Sequence, residues 1–203
     1  MNAPQGTVAW LAERAGHCTA SRFKDVLAAI KVGEAATRRN YRMQLVTERL
    51  TGIPQESYHN AAMQWGTDTE PYAREAYEIE TGDVVEQAGF LPHSDMPWVG
   101  CSPDGLLGIE GGIEIKCPER SVIHVETLQG GSVPTEHVAQ IQGSMWVTGR
   151  RFWDFVSYDP RMPEKLRLYI QRVKRDDEYI ANLAKQVALF LAEVDKLHKQ
   201  LLA

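Results

Sequence analysis

The stretch SPDGLLGIEGGIEIKCP, residues 102–118, begins with Ser102-Pro103-Asp104-Gly105 and ends with Glu114-Ile115-Lys116-Cys117-Pro118. Two short apolar runs lie either side of Gly111-Gly112, which fits a hairpin with that glycine pair as its turn. Successive strand side chains point to opposite faces. Ile113 and Ile115 therefore share one face, expected to be buried, and Glu114 and Lys116 share the other. Asp104 falls in a turn just ahead of the partner strand, where it can approach Glu114.

Working outward, short apolar runs separated by turn residues continue on both sides. Residues 84–91, 99–101, 106–109, 112–117, 152–158 and 166–173 read as strands. Upstream, residues 20–31 read as a helix with Phe23, Val26, Leu27 and Ile30 at helical spacing, with Thr19 or Ser21 as its cap. A second helix spans 37–50, ended by Thr51-Gly52-Ile53-Pro54. A third spans 60–81, with Trp65, Tyr72, Ala76 and Ile79 on its apolar side and Gly82 as its stop. Downstream, residues 135–148 form a helix that meets the sheet through Val138, Ile141, Met145 and Trp146. Residues 177–202 form a long amphipathic helix through Ile180, Leu183, Val187, Phe190, Leu191, Val194 and Leu197. This order predicts a single α/β domain over 1–203, a central mixed β-sheet flanked by helices.

Composition agrees with one soluble globular domain: 43% of the 203 residues are apolar and 24% charged. No apolar run is long enough to span a bilayer, and the first residues show no secretory signal. Cys18, Cys101 and Cys117 cannot all pair and form no CxxC, so they read as reduced thiols in a cytoplasmic protein. His17, His59, His93, His124 and His198 show no zinc-ligand spacing. The net charge of −5 is unevenly spread. Between Ser21 and Leu50, Arg22, Lys24, Lys31, Arg38, Arg39, Arg42 and Arg49 face only Asp25, Glu34 and Glu48, a local +4 that leaves −9 elsewhere. A basic arm beside an acidic body suits a protein that holds phosphates on one surface and cations at another; it equally suits a solvated helix face.

The chemistry lies in the acids. Two carboxylates set close together repel unless a cation neutralises them. Mg²⁺ takes a few carboxylates and leaves room for water and phosphate oxygens. Held by Asp104 and Glu114, with the backbone carbonyl of Ile115 as a further ligand, it would lower the pKa of a water and offset phosphate charge. Lys116 would orient the water or bind a phosphate oxygen. Taken alone, Glu-x-Lys on a strand also suits an ion pair on the solvent face of a hairpin.

Collinear stretches resolve this ambiguity. TASRFKDVL (19–27), WGTDTEPYAREAYEIETG (65–82), the 102–118 segment, AQIQGSMWVTGR (139–150) and YDPRM (158–162) resemble, in order, the lambda-type phage exonucleases. These are also called YqaJ-like viral recombinases and carry the PD-(D/E)XK nuclease, or restriction-endonuclease-like, core. The resemblance implies a Mg²⁺-dependent enzyme, with Mn²⁺ able to substitute, that digests one strand of double-stranded DNA ends from 5′ to 3′. It would release 5′-mononucleotides and leave 3′ overhangs for a phage single-strand annealing protein. It further implies a homotrimer ring working in the cytoplasm of a bacterial host, phage or prophage encoded, with no membrane. By position, Asp104, Glu114 and Lys116 match the catalytic motif, Glu70 a further metal-site acid, and Gln140 a glutamine that would contact the substrate or the Lys116 region. Arg14, Ser21 and Ser102 match a 5′-phosphate pocket, and Met63 an apolar wedge that separates the strands. The chain is shorter than that pattern at its N-terminus and lacks its longer C-terminal extension. The segment between Lys31 and Arg42 differs in detail, and His137 replaces a tyrosine. A restriction-type endonuclease with the same core and a DNA-binding scaffold without chemistry are the competing readings.

Overall fold

The computed structural model describes residues 3–55 and 61–203. His59, and Asn60 at the head of the expected third helix, lie outside them. The elements run α1 (Val8–Arg14), β1 (Cys18–Thr19), a 3-10 turn (Ala20–Arg22), α2 (Phe23–Val26), α3 (Ala36–Thr51), α4 (Ala61–Thr81), β2 (Val85–Glu86), β3 (Leu91–Pro92), β4 (Val99–Cys101), β5 (Gly105–Leu107) and β6 (Gly111–Lys116). They continue through α5 (Ser121–Gly130), α6 (Thr135–Thr148), β7 (Phe152–Tyr158), a 3-10 turn (Glu164–Leu166), β8 (Leu168–Lys174) and α7 (Asp177–Leu202).

The central sheet has the order β2-β5-β6-β7-β8 and is mixed: β6 and β7 are parallel, the other pairs antiparallel. A smaller sheet, β1-β4-β3, lies beside it. Helix α4 packs on one face of β6, where Ala73 and Tyr77 meet Ile113, Ile115 and Val156. Helix α6 covers the other, where Ile141 and Met145 meet Trp153 and Phe155. Helix α7 closes the core of the N-terminal half, burying Leu183, Val187, Phe190 and Val194 against Phe23, Tyr41 and Leu45. This is the expected mixed sheet flanked by helices.

Several boundaries differ from expectation, each for a physical reason. The glycine pair is not the hairpin turn. Gly111 and Gly112 pair with Leu107 and Leu106 inside the ladder, and the chain turns at 108–110 with Gly108 at φ 52°. The glycines are there because Phe152 and Trp153 of β7 lie across them: a Cβ would come within 2.1 Å of the Phe152 ring at Gly111 and 2.3 Å of the Trp153 ring at Gly112. The face carrying Glu114 is not open either, since α6 covers it and Glu114 has no exposed surface.

The expected helix over 20–31 is only the 3-10 turn and α2; Thr19 gives it no side-chain cap, and Ile30 is exposed because the chain leaves the core after Leu27. In α4 the buried side is Thr69, Ala73 and Tyr77, whereas Tyr72 and Ile79 face outward. Small Ala73 admits the sheet closely, and the Tyr77 hydroxyl donates to Asp154 at 2.7 Å, so packing selects that stripe over the more apolar one. The expected strand over 84–91 divides between two sheets as β2 and β3, and the expected strand over 166–173 starts two residues late, after a 3-10 turn. Helices α1 and α5 were not foreseen; their outward faces leave Val8, Val122, Ile123 and Val125 exposed, so neither shows a clean apolar period.

Candidate active site

The tip of the β5–β6 hairpin faces away from the site; the other end carries it. Asp104 sits just before β5, and its Oδ2 accepts from the Ile115 backbone N–H at 2.7 Å. That bond continues the β5–β6 pairing by one side chain and holds the Asp104 carboxylate beside Glu114. Glu114 Oε1 accepts from Lys116 Nζ at 2.5 Å and from Gln140 Nε2 of α6 at 2.6 Å. Its other oxygen, Oε2, is buried with no partner. Glu70, from α4, accepts at Oε1 from Arg74 Nη2 at 2.6 Å. Asp104, Glu114, Lys116, Gln140 and Glu70 thus converge from a turn, a strand and two helices.

The electrostatics are those of crowded acids out of water. Burial first, then the Asp104 charge, pushes Glu114 up to about 8. Burial and Asp104 push Glu70 up to about 6, against the pull of Arg74. Asp104 is raised as well, chiefly by burial, although Lys116 and the Ile115 N–H favour its charged form. For Lys116 burial works the other way, but the Glu114 and Asp104 charges prevail and its pKa is raised, so it remains an ammonium.

Among the described residues no three His, Cys, Asp or Glu side chains are gathered tightly enough to hold a metal ion as they stand. The donor set nevertheless fits a hard cation. All its candidate ligands are oxygens, Glu114 keeps a buried oxygen with no hydrogen bond, and the raised carboxyl pKa values mark negative charge that the protein's own cations do not fully offset. Arg74 and Lys116 each pair with one oxygen of Glu70 and Glu114, respectively.

Beside this centre, Arg14 Nη1 donates to Ser102 Oγ at 2.7 Å, and Trp10 Nε1 donates to the same oxygen at 3.0 Å. The Arg14 guanidinium lies 4.3 Å from the centre of the Trp10 ring. It is half-buried, burial lowers its pKa, and among the described residues it has no carboxylate partner. Ser102 is two residues before Asp104, so this cation borders the acids. Ser21 shares a 3.3 Å hydrogen bond with Thr19 and makes none with Arg14. Its neighbour Thr19 pairs with Gly100 of β4, after which the chain turns into the 3-10 turn that carries Ser21. Met63 lies on α4 seven residues before Glu70, hence on the same side of the helix about 10 Å along it, and is 42% exposed.

The basic arm is largely spent internally. Arg38 and Arg42 both pair with Glu34 and Glu193, Arg22 pairs with Asp25, and Arg49 with Asp195. Lys24, Lys31 and Arg39 remain exposed.

Three features escaped the sequence reading. Trp10 is on the unforeseen helix α1. Arg74, one helical turn after Glu70, was legible as an i,i+4 partner. His137, given no role, stacks on Phe155 with ring centroids 5.4 Å apart, and Phe155 is the register partner of Glu114. Burial and the nearby Lys116 lower it to about 4, so the ring beside the site is neutral.

The chain is similar to several known proteins. Residues 9–151 match the YqaJ-like viral recombinase domain. The alkaline exonuclease LHK-Exo of Laribacter hongkongensis is 44% identical and superposes with a TM-score of 0.88, over 96% of both chains. Its complex with dAMP gives 0.89 at the same identity and coverage. A phage-related exonuclease from Haemophilus somnus 129PT shares the fold at 15% identity, with a TM-score of 0.68 over 91% of this chain and 96% of that one. The uncharacterized protein ExoD of Escherichia coli K12 is 34% identical over 65 residues, 32% of this chain and 74% of that protein.

Proposed function

The chain belongs to the YqaJ-like viral recombinase domain family and has the PD-(D/E)XK nuclease fold, and from that premise we propose that it is a Mg²⁺-dependent DNA exonuclease. It hydrolyses one strand of a linear duplex from the 5′ end and leaves a 3′ overhang for strand annealing in phage recombination. The observation that carries this reading is Glu114: a carboxylate without exposed surface, one oxygen on Lys116 and Gln140, the other unpartnered, with Asp104 beside it. A solvent-facing ion pair would have neither the burial nor the orphan oxygen.

Asp104, Glu114, Glu70 and the Ile115 carbonyl are the residues that would hold the ion, Mg²⁺ or Mn²⁺. When bound it supplies charge neutralisation at the phosphate and a water of lowered pKa. The chain's own groups do the rest. Lys116 remains protonated and so acts as a donor to a phosphate oxygen or to the attacking water, not as its base. Gln140 holds the Glu114 carboxylate by one oxygen. Water adds to phosphorus as the bond to the 3′ oxygen of the terminal nucleotide breaks. That oxygen leaves with the mononucleotide and takes up a proton, and the shortened strand keeps a new 5′-phosphate. Arg14 and Ser102, joined by a hydrogen bond, suit that 5′-phosphate, and Ser21 would add a hydroxyl. Each cycle thus regenerates the group the pocket binds. The dAMP bound by the 44%-identical LHK-Exo supports a site that accommodates a nucleoside monophosphate. Met63 would separate the terminal base pair. A homotrimer ring in the host cytoplasm is the assembly this reading adopts; among the described residues no helix is long and apolar enough to cross a membrane.

The test compares a linear duplex with the same DNA as a covalently closed circle, with MgCl₂ or with EDTA. Loss of the linear form alone, only with Mg²⁺, and release of mononucleotides is the expected result. Cleavage of the circle would favour an endonuclease; no cleavage of either would remove the enzymatic reading.

A further inference from the structure

Past the end of β7, Asp159 has no exposed surface. Arg161 grips it as a fork, Nε to Oδ1 at 2.8 Å and Nη2 to Oδ2 at 2.9 Å, and its backbone N–H adds a third bond at 3.0 Å. Burial would raise the Asp159 carboxyl, but Arg161 and Ser121 hold it down at about 2, so the pair stays ionised. The same guanidinium reaches two other elements. Its Nη2 donates to the Pro118 carbonyl at 3.2 Å, and its Cζ lies over the Trp65 ring, 4.3 Å from the ring centre. Pro118 follows Lys116 by two residues at the end of β6. Trp65 precedes Glu70 by five on α4. The Trp65 indole N–H is enclosed without an acceptor, so that ring is used here for its face and not for its donor. At the other side of Glu70, Tyr77 anchors α4 to Asp154 of β7. Glu70 is therefore suspended between two attachments of its helix, and the one nearer the strand end runs through Arg161.

We propose that Arg161, clamped by Asp159, is a positioning residue that holds α4 against the end of β6 and so sets the distance of Glu70 from Asp104 and Glu114. The inference rests on the metal-dependent reading above. The clamp is a neutral pair, so it acts by geometry and adds little field at the acids. The choice of ion is where geometry shows. Mg²⁺ demands near-ideal octahedral contacts at about 2.0–2.1 Å, whereas Ca²⁺ accepts irregular oxygen shells at about 2.3–2.6 Å. A loosened α4 should therefore cost Mg²⁺ more affinity than Ca²⁺.

The experiment is calorimetric titration of the DNA-free protein with MgCl₂ and, separately, CaCl₂. Arg161→Ala and Trp65→Ala are expected to weaken Mg²⁺ at least ten-fold and Ca²⁺ less. Leu183→Ala, a cavity in α7, is expected to lower Tm while leaving both affinities unchanged. Should Arg161→Ala fail to fold, Arg161→Lys carries the test, since it keeps the charge but neither the fork nor the planar guanidinium over Trp65. Wild-type Mg²⁺ affinity in folded Arg161 variants, or an equal loss of both ions, overturns the proposal. Absence of Mg²⁺ binding by the wild-type protein would instead remove the metal-dependent reading itself.

Discussion

Glu114 combines the burial of a core residue with the charge of a ligand, and this conflict makes its contribution to stability depend on pH. Its folded pKa is about 8 and Glu70's about 6, each above the ordinary carboxyl value of 4.5. Both then bind protons more tightly in the folded than in the unfolded state. Their contribution to stability is present below the unfolded pKa and is lost as pH rises through the folded one. Metal-free protein should thus lose thermal stability between pH 4.5 and about 8, the window of Glu114. Glu114→Gln should flatten this decline, and Mg²⁺ should reverse it in the wild type only. Thermal melts across that range check this; a wild-type decline unchanged by Glu114→Gln would place the raised acid elsewhere. The same substitution should reduce cleavage by roughly 10³-fold or more. Lys116→Ala should do likewise, and the double variant should lose little further, because residues acting on one step are not additive. Arg14 supplies a second residue-scale expectation. A guanidinium with no carboxylate partner among the described residues is available to an anion, so Arg14→Ala should abolish a preference for 5′-phosphorylated over 5′-hydroxyl ends. Equal wild-type rates on the two ends would rule the pocket out.

Strand β6 illustrates how an element limits its own sequence. It is covered by α4 on one face and by α6 on the other, and the rings of Phe152 and Trp153 fill the space where side chains at 111 and 112 would stand. Gly112→Ala would drive a methyl to 2.3 Å from the Trp153 ring, which has no exposed surface and little freedom to retreat. Overpacking of this kind costs about 1–3 kcal/mol, measurable as a shift in the denaturation midpoint. Because Glu114 is two residues along the same strand, activity should fall with it. A Gly112→Ala protein of wild-type stability would show that β7 can yield there.

A monomer of net charge −5 whose arginines are largely paired internally is a poor holder of DNA, since affinity comes mainly from neutralised phosphates. A closed ring compensates by enclosing the product strand, and Lys24, Lys31 and Arg39, still exposed, are available to face a channel. The expected mass by light scattering is about 68 kDa, three chains of 22.8 kDa in one closed cyclic assembly. A competitor-DNA trap added after digestion begins should not stop it promptly. A mass of one chain together with immediate arrest would refute the ring and leave the site chemistry standing.

The elements most legible in the sequence were long apolar segments with clear turn residues at their ends. The spans of α6, α7 and β7 match their patterns: α7 has one apolar stripe to bury, while β7 and α6 lie between layers and are buried on more than one side, bounded by Gly149-Arg150-Arg151 and by Pro134. The acids of the site were legible too, because Asp104, Glu114 and Lys116 lie within one hairpin, where local geometry alone brings them together. What sequence left open was whatever depends on a partner far along the chain. Alternation along β6 separates Ile113 from Glu114, but it cannot show that α6 covers the acid and removes it from water. Periodicity in α4 offers two stripes, and only the sheet selects Thr69, Ala73 and Tyr77. Glycines at 111 and 112 look like a turn until the rings of β7 are placed over them. Arg161 reads as a surface cation until folding brings the buried Asp159, Pro118 and Trp65 around it. Local pattern limits what each segment can bury, but tertiary contact decides which of its faces is buried, and the burial of Glu114 beside a half-buried Asp104 turns an ordinary hairpin into a candidate metal site.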